Sequence, residues 1–134
     1  MRWGILSTGY IAGVFAEALV PSASEQVIAI ASRDGARAEA MAKQYGVARA
    51  YGSYADLLDD PEVEAVYIAT PNSLHAEWVI ECAKAGKHIL CEKPLGISRA
   101  EAEDMFHAAR AHEVWLMEAF MYRFHPRSLK LKQL

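Results

Sequence analysis

The chain has 134 residues and lacks much of what several function classes need. It has two cysteines, Cys82 and Cys91, neither in a CxxC pair and neither with a histidine at zinc-site spacing. That argues against a disulfide scaffold and against a metal knuckle. Both read as small buried apolar residues, Cys82 on a helix-like face and Cys91 in a strand-like run. A disulfide between them stays open, but a reducing, cytoplasmic setting is the expectation. The histidines His75, His88, His107, His112 and His125 show no HxxxH spacing, so no metal site is expected. Ser7 lies in no GxSxG elbow, which removes the usual hydrolase signature. There is no excess of positive charge: 14 Lys and Arg face 17 Asp and Glu, for a net charge of −3. Phosphate-backbone binding wants the opposite balance, so no nucleic-acid partner is expected, although Arg123, Arg127, Lys130 and Lys132 form a local basic stretch. No apolar run is long enough to span a bilayer, and the N-terminus shows no basic-then-apolar leader pattern, so no membrane role is expected. Repeats and low-complexity segments are absent.

What is present is a 53% hydrophobic chain whose short apolar runs alternate with helical periodicity. Trp3–Ser7, Val27–Ala31, Ala65–Ala69, His88–Cys91 and Val114–Met117 read as strands, with Arg49–Tyr51 as a further short one. Between them Ile11–Leu19 carries apolar residues at helical spacing and closes at Pro21. A second helix starts at an Asp34 cap and ends at Gly46. A brief helix through Leu57 and Leu58 follows the Ser53/Asp56 pair, and Leu74–Ala85 runs to Gly86. Ser98 with Glu101 predicts a capping box for the next helix, and Pro126–Leu134 reads as the last. Strand-helix alternation predicts an α/β fold: a doubly wound parallel sheet in three αβα layers, joined by right-handed crossovers and covered on both faces.

In such a sheet ligands lie beyond the carboxyl ends of the strands, where strand order reverses. Four motifs fall there. Ser7-Thr8-Gly9-Tyr10-Ile11-Ala12 matches a dinucleotide fingerprint with serine for its first glycine and alanine for its third. Gly9 is where the backbone would approach a pyrophosphate at the start of a helix. Ser32-Arg33-Asp34 follows the second strand. Ser32 stands where an acid would hold the 2′-hydroxyl of NAD, and Arg33 is placed for a 2′-phosphate. This favours NADP(H) with NAD(H) possible, while a solvated arginine remains the plainer reading of Arg33, and Asp34 suits a helix cap better than a ribose ligand. Thr70-Pro71-Asn72-Ser73-Leu74-His75 follows the fourth strand, with polar atoms for a nicotinamide ribose or, more simply, a helix start. Glu92-Lys93-Pro94 follows the fifth. A lysine there can hydrogen-bond a substrate hydroxyl and pass a proton, with Glu92 able to orient it.

Together these motifs, with Met117-Glu118-Ala119-Phe120-Met121-Tyr122-Arg123-Phe124-His125-Pro126, resemble the glucose–fructose oxidoreductase, inositol dehydrogenase and rhizopine catabolism family (Gfo/Idh/MocA). The likeness is greatest to its branch of D-xylose and trans-dihydrodiol dehydrogenases. The resemblance implies a Rossmann domain over residues 1–120 and, at 121–134, the start of a connection to a C-terminal substrate and dimerisation domain that this chain does not include. It implies hydride transfer between NADP and a sugar, polyol or diol, with Lys93 as the catalytic lysine and a cis Lys93–Pro94 bond. The cofactor would be held by Ser7, Thr8, Gly9, Tyr10, Ile11, Ser32, Arg33, Thr70, Pro71, Asn72, His75, Glu92, Lys93 and Arg123. The full-length protein would be a homo-oligomer, and this chain alone would bind cofactor with little or no turnover. The competing expectation is a stand-alone dinucleotide-binding sensor or regulatory module without catalysis.

Overall fold

The computed structural model describes residues 1–133. Its elements run β1 (Arg2–Leu6), α1 (Tyr10–Leu19), β2 (Gln26–Ala31), α2 (Gly35–Tyr45), β3 (Arg49–Tyr51), α3 (Tyr54–Leu58), β4 (Ala65–Ile68), a 3₁₀ turn (Asn72–Leu74), α4 (His75–Lys84), β5 (His88–Cys91), α5 (Arg99–Ala111), β6 (Leu116–Glu118), a second 3₁₀ turn (Met121–Phe124) and α6 (Pro126–Leu131). The strands form one sheet in the order β3-β2-β1-β4-β5-β6, and every pairing is parallel. The predicted doubly wound sheet is therefore present. Leu134, the last residue of the expected final helix, lies outside the described residues.

The period-two rule of strands divides the core. Leu6, Ala31, Val66, Ile68, Ile89 and Cys91 pack under α3, α4 and α5 with Val79, Cys82 and Met105. The alternate residues Ile5, Ile30 and Tyr67 face α1 and α2, against Ala12, Ala16 and Met41. Gly13 lets those two helices approach closely, since a Cβ there would come within 2.9 Å of the Tyr45 hydroxyl. The expectation of cover on both faces holds only in part. The α1 and α2 layer stops short of β5 and β6, and among the described residues no helix closes that face. Phe15, Tyr67, Leu90, Met117, Phe120 and Phe124 line an open apolar trough of about 240 Å³ there. The topology explains this. Crossovers on the β1-β2-β3 side place helices on one face, those from β4 to β6 place them on the other, and the next helix on the first face would have to follow β6.

Caps set most boundaries. Asp34 accepts from the N–H groups of Ala36 and Arg37, Ser53 from Asp56, and Ser98 from Glu101. The box at Ser98 is reciprocal with a one-residue offset, because Glu101 reaches the N–H of Ile97. The last strand starts later than Val114. Glu113 takes a left-handed conformation (φ 55°), and the Val114 N–H turns back to the Ala109 carbonyl at the end of α5, so pairing with β5 begins at Leu116. At the opposite end of the sheet, buried Lys87 donates to the carbonyls of Asp60 and Val63 at 2.7 and 2.9 Å. The Asp60 carboxylate takes Arg49 and the Tyr51 hydroxyl.

Candidate cofactor site

The strand ends are level. Leu6 pairs with Ala31 and with Ile68, and Ile68 pairs with Cys91. Since all strands are parallel, the segments that follow Leu6, Ala31, Ile68 and Cys91 leave from one rim. Strand order reverses between β1 and β4 at its centre.

After β1 the chain turns sharply. Ser7 has φ 107°, a region that favours glycine, so the replaced first glycine of the fingerprint leaves a strained serine. Its hydroxyl accepts the Gly9 N–H at 3.2 Å. A Cβ on Gly9 would meet only Ser7 Oγ, at 3.5 Å, so the fold's own packing does not require glycine here; its bare side faces outward. Gly9 caps α1 without a side-chain hydrogen bond, and the first turn holds no acid, whereas α2, α3 and α5 all carry side-chain caps. The first N–H groups of α1 thus keep their positive end for an anion. Thr8, Gly9 and Tyr10 share a cavity of about 340 Å³ with Arg37, Gln44 and Tyr45.

After β2, Ser32 is buried and its hydroxyl accepts the Asp34 N–H. Arg33 is exposed and lies near Tyr54, whose phenol is raised by burial and partly relieved by the Arg33 charge. Arg37, in the first turn of α2, is the cation that shares the Gly9 cavity. The motif reading passed over it because it sits inside a helix.

After β4 and β5, Ile11, Thr70, Asn72, Glu92 and Lys93 come together around a cavity of about 330 Å³, closed on one side by Met121. Thr70 is 5% exposed, and its Oγ1 is buried without a hydrogen-bond partner. Such a group calls for a ligand or water. Pro71, between Thr70 and Asn72, is exposed, its carbonyl taking the Leu74 N–H. His75 is placed differently from the expected cofactor contact. It is fully buried, with Nδ1 2.9 Å from the Pro94 carbonyl and Nε2 3.0 Å from the Thr70 carbonyl. No ring nitrogen is left for a nucleotide; the side chain fastens the two loops together instead.

The Glu92–Leu95 loop is pinned from several sides. Tyr67 donates to Glu92 at 2.5 Å, Glu92 accepts the Lys93 N–H at 3.1 Å, and Glu118 accepts the Leu95 N–H at 2.8 Å. The Lys93–Pro94 bond is cis. Lys93 itself is exposed at the cavity mouth. Arg123 is exposed on the second 3₁₀ turn, its N–H on the Phe120 carbonyl. No group of metal-ligating side chains occurs among the described residues, and no described helix is long and apolar enough to cross a membrane.

An elongated anion fits this rim on the structure's own terms: an uncapped helix start beside a bare glycine, a cation on α2, and an orphaned buried hydroxyl beside a lysine. Known proteins agree. Mouse trans-1,2-dihydrobenzene-1,2-diol dehydrogenase is 46% identical over 135 residues, covering 99% of this chain and 40% of that protein. D-xylose 1-dehydrogenase (NADP(+)) 2 of Haloferax volcanii is 49% identical over 137 residues, covering all of this chain and 41% of that protein. The chain thus spans about two fifths of the length of these relatives. The crystal structure of KijD10, a 3-ketoreductase from Actinomadura kijaniata in complex with TDP-benzene and NADP, superposes with a TM-score of 0.92 at 37% identity, over 99% of this chain and 42% of that one. The family described as oxidoreductases with an NAD-binding Rossmann fold matches residues 1–120. With that match and this rim, the chain belongs to the Gfo/Idh/MocA oxidoreductase family.

Proposed function

We propose that residues 1–120 are the cofactor domain of an NADP-dependent oxidoreductase that moves hydride between the cofactor and a hydroxyl or carbonyl carbon of a sugar, polyol or trans-dihydrodiol. On this reading residues 121–134 lead toward a second domain that completes the substrate pocket and pairs the subunits into a homo-oligomer. The free, buried Cys82 and Cys91 suit a reducing cytoplasm. The observation that carries the proposal is the placement of Gly9 at the uncapped start of α1 and Lys93 beside the orphaned Thr70 hydroxyl on one rim.

Each residue then has a task. The N–H groups of Tyr10 and Ile11 receive the pyrophosphate, with Ser7 and Thr8 shaping the turn. Ser32 leaves the second strand's end uncharged, and Arg33 and Arg37 supply the cations for a 2′-phosphate. Thr70 Oγ1 and Asn72 line the nicotinamide end, joined through Pro71, and Glu92 fixes the backbone of Lys93. Arg123 stands on the turn beyond β6 as a further cation at the cleft. When bound, the cofactor accepts or supplies the hydride. Lys93 Nζ hydrogen-bonds the substrate oxygen; in oxidation it takes the hydroxyl proton, and in reduction it gives one back.

Titration of this chain with NADPH and NADH tests the cofactor assignment. Tighter binding of NADPH by at least tenfold is expected, with Arg37→Ala and Arg33→Ala each reducing that preference and leaving NADH unchanged. Equal affinity for the two dinucleotides would overturn it. In the complete gene product, Lys93→Ala is expected to lower turnover by about 10²–10⁴-fold with NADPH binding retained; normal turnover would remove Lys93 from the chemistry.

A further inference from the structure

We propose that Tyr67 is a positioning residue for proton transfer at Lys93: its hydroxyl holds the Glu92 carboxylate, and that carboxylate holds the backbone from which Lys93 departs. The proposal rests on the reading of Lys93 as the proton-transfer residue. Tyr67 lies in the middle of β4, 3% exposed. Its ring stacks on Phe15 at 4.0 Å and 19°, and Phe15 is met edge-on by Trp3 at 5.4 Å. A ring held this way offers its hydroxyl in one direction, toward Glu92 Oε1, and the 2.5 Å contact is in the range of a strong, charge-assisted bond. Glu92 Oε2 is left for the N–H of Lys93. Burial, then the adjacent carboxylate, push the phenol far above its ordinary range, so it stays a donor at any working pH.

The consequence concerns what Glu92 does not do. It lines the same cavity as Lys93, and a carboxylate free to rotate there would pair with the lysine's ammonium and draw Nζ away from the substrate oxygen. With one oxygen on Tyr67 and the other on the Lys93 backbone, the carboxylate is occupied and the lysine is left to point into the cleft. Strand packing does not need the hydroxyl for this. A phenylalanine would keep the stack on Phe15, so the oxygen's role is separable from the ring's.

Tyr67→Phe therefore removes the restraint and keeps the aromatic packing. In the complete gene product it is expected to lower kcat about tenfold while the KM for NADPH stays within twofold, the pattern of an interaction that matters only in the chemical step. In a Glu92→Ala background the same change should cause no further loss, because a residue that acts through another has no effect once that partner is gone. In this chain, without any turnover, Tyr67→Phe should speed hydrogen exchange of the Lys93 amide at least threefold and leave the Ile68 amide unchanged. An unaltered Lys93 amide, an unaltered kcat, or losses that multiply in the double variant would each overturn the proposal. A wild-type protein that binds NADPH but reduces or oxidises no sugar or diol would sink the functional reading instead, and the exchange measurement would still decide whether Tyr67 holds the loop.

Discussion

At Thr70 a hydroxyl oxygen is buried with no partner, and leaving such a group unpaired costs about 1–3 kcal/mol. Thr70→Val keeps the shape and removes the oxygen. The nucleotide-free chain should therefore gain up to about 1 kcal/mol in stability, read as a higher melting temperature. Its NADPH affinity should fall severalfold by titration, because on the proposed reading the hydroxyl's partner is the ligand. A lower melting temperature with unchanged affinity would make Thr70 an ordinary core residue. At this scale the sequence was readable where an unusual residue stands in a distinctive local order: Gly9 at the turn from β1 into α1 and Lys93 before a proline just after β5. It was silent at Tyr67, which looks like any large residue in an apolar strand run, because the oxygen's partner is 25 residues away in the chain. His75 was visible but misplaced. Spacing put it near the cleft and could not show that both ring nitrogens face backbone carbonyls.

At the level of elements, α1 differs from its neighbours. The ends of α2, α3 and α5 are closed by Asp34, Ser53 and Ser98, whose short polar side chains announce helix starts to a reader of the sequence. The start of α1 lacks such a residue and has no acid in its first turn, so its dipole is uncompensated within the described residues. Tyr10, 88% exposed at that turn, is the place to test this. Tyr10→Glu adds a negative charge at the positive end and should stabilise the nucleotide-free chain by about 0.3–1 kcal/mol at low salt. The same charge should weaken NADPH binding about tenfold by repelling the pyrophosphate, and both effects should shrink as salt is raised. Parallel gains in stability and in affinity would show that no anion sits at α1. Boundaries were less legible than caps. The onset of β6 depends on which N–H groups the end of α5 claims, and Glu113, left-handed without being glycine, gives no compositional warning.

Across the whole molecule, alternating strands and helices sufficed to foresee the doubly wound sheet, because its central strands β1, β2, β4 and β5 carry buried apolar residues and a helix lies between each strand and the next. The uncovered trough over β5 and β6 was not foreseen, since it depends on how crossovers are distributed between faces rather than on any residue's type. The same tight burial sets the response to alkali. Cys82 and Cys91 sit in the core with no exposed surface. Burial pushes the Cys91 thiol up to about 12 and the Cys82 thiol higher still, and Tyr67 is likewise raised well above its ordinary 10.0. In the unfolded chain the thiols titrate near 9.0. Above that pH the unfolded state has lost protons that the folded state still binds, so stability falls as pH rises. Each thiol contributes a slope approaching about 1.4 kcal/mol per pH unit between its unfolded and folded values. Lys87 works the other way: burial lowers its ammonium below 10.5, so between its folded and unfolded values it adds stability with rising pH, one group against five, since burial also raises the phenols of Tyr51 and Tyr54. The chain should therefore hold its melting temperature up to pH 8 and lose it steeply from pH 9 to 11. Replacing both cysteines with alanine should flatten the first part of that fall at some cost in stability near neutrality, where the lost sulfur packing is felt. An equally steep decline in the cysteine-free variant between pH 9 and 10 would assign the alkaline limb to other groups.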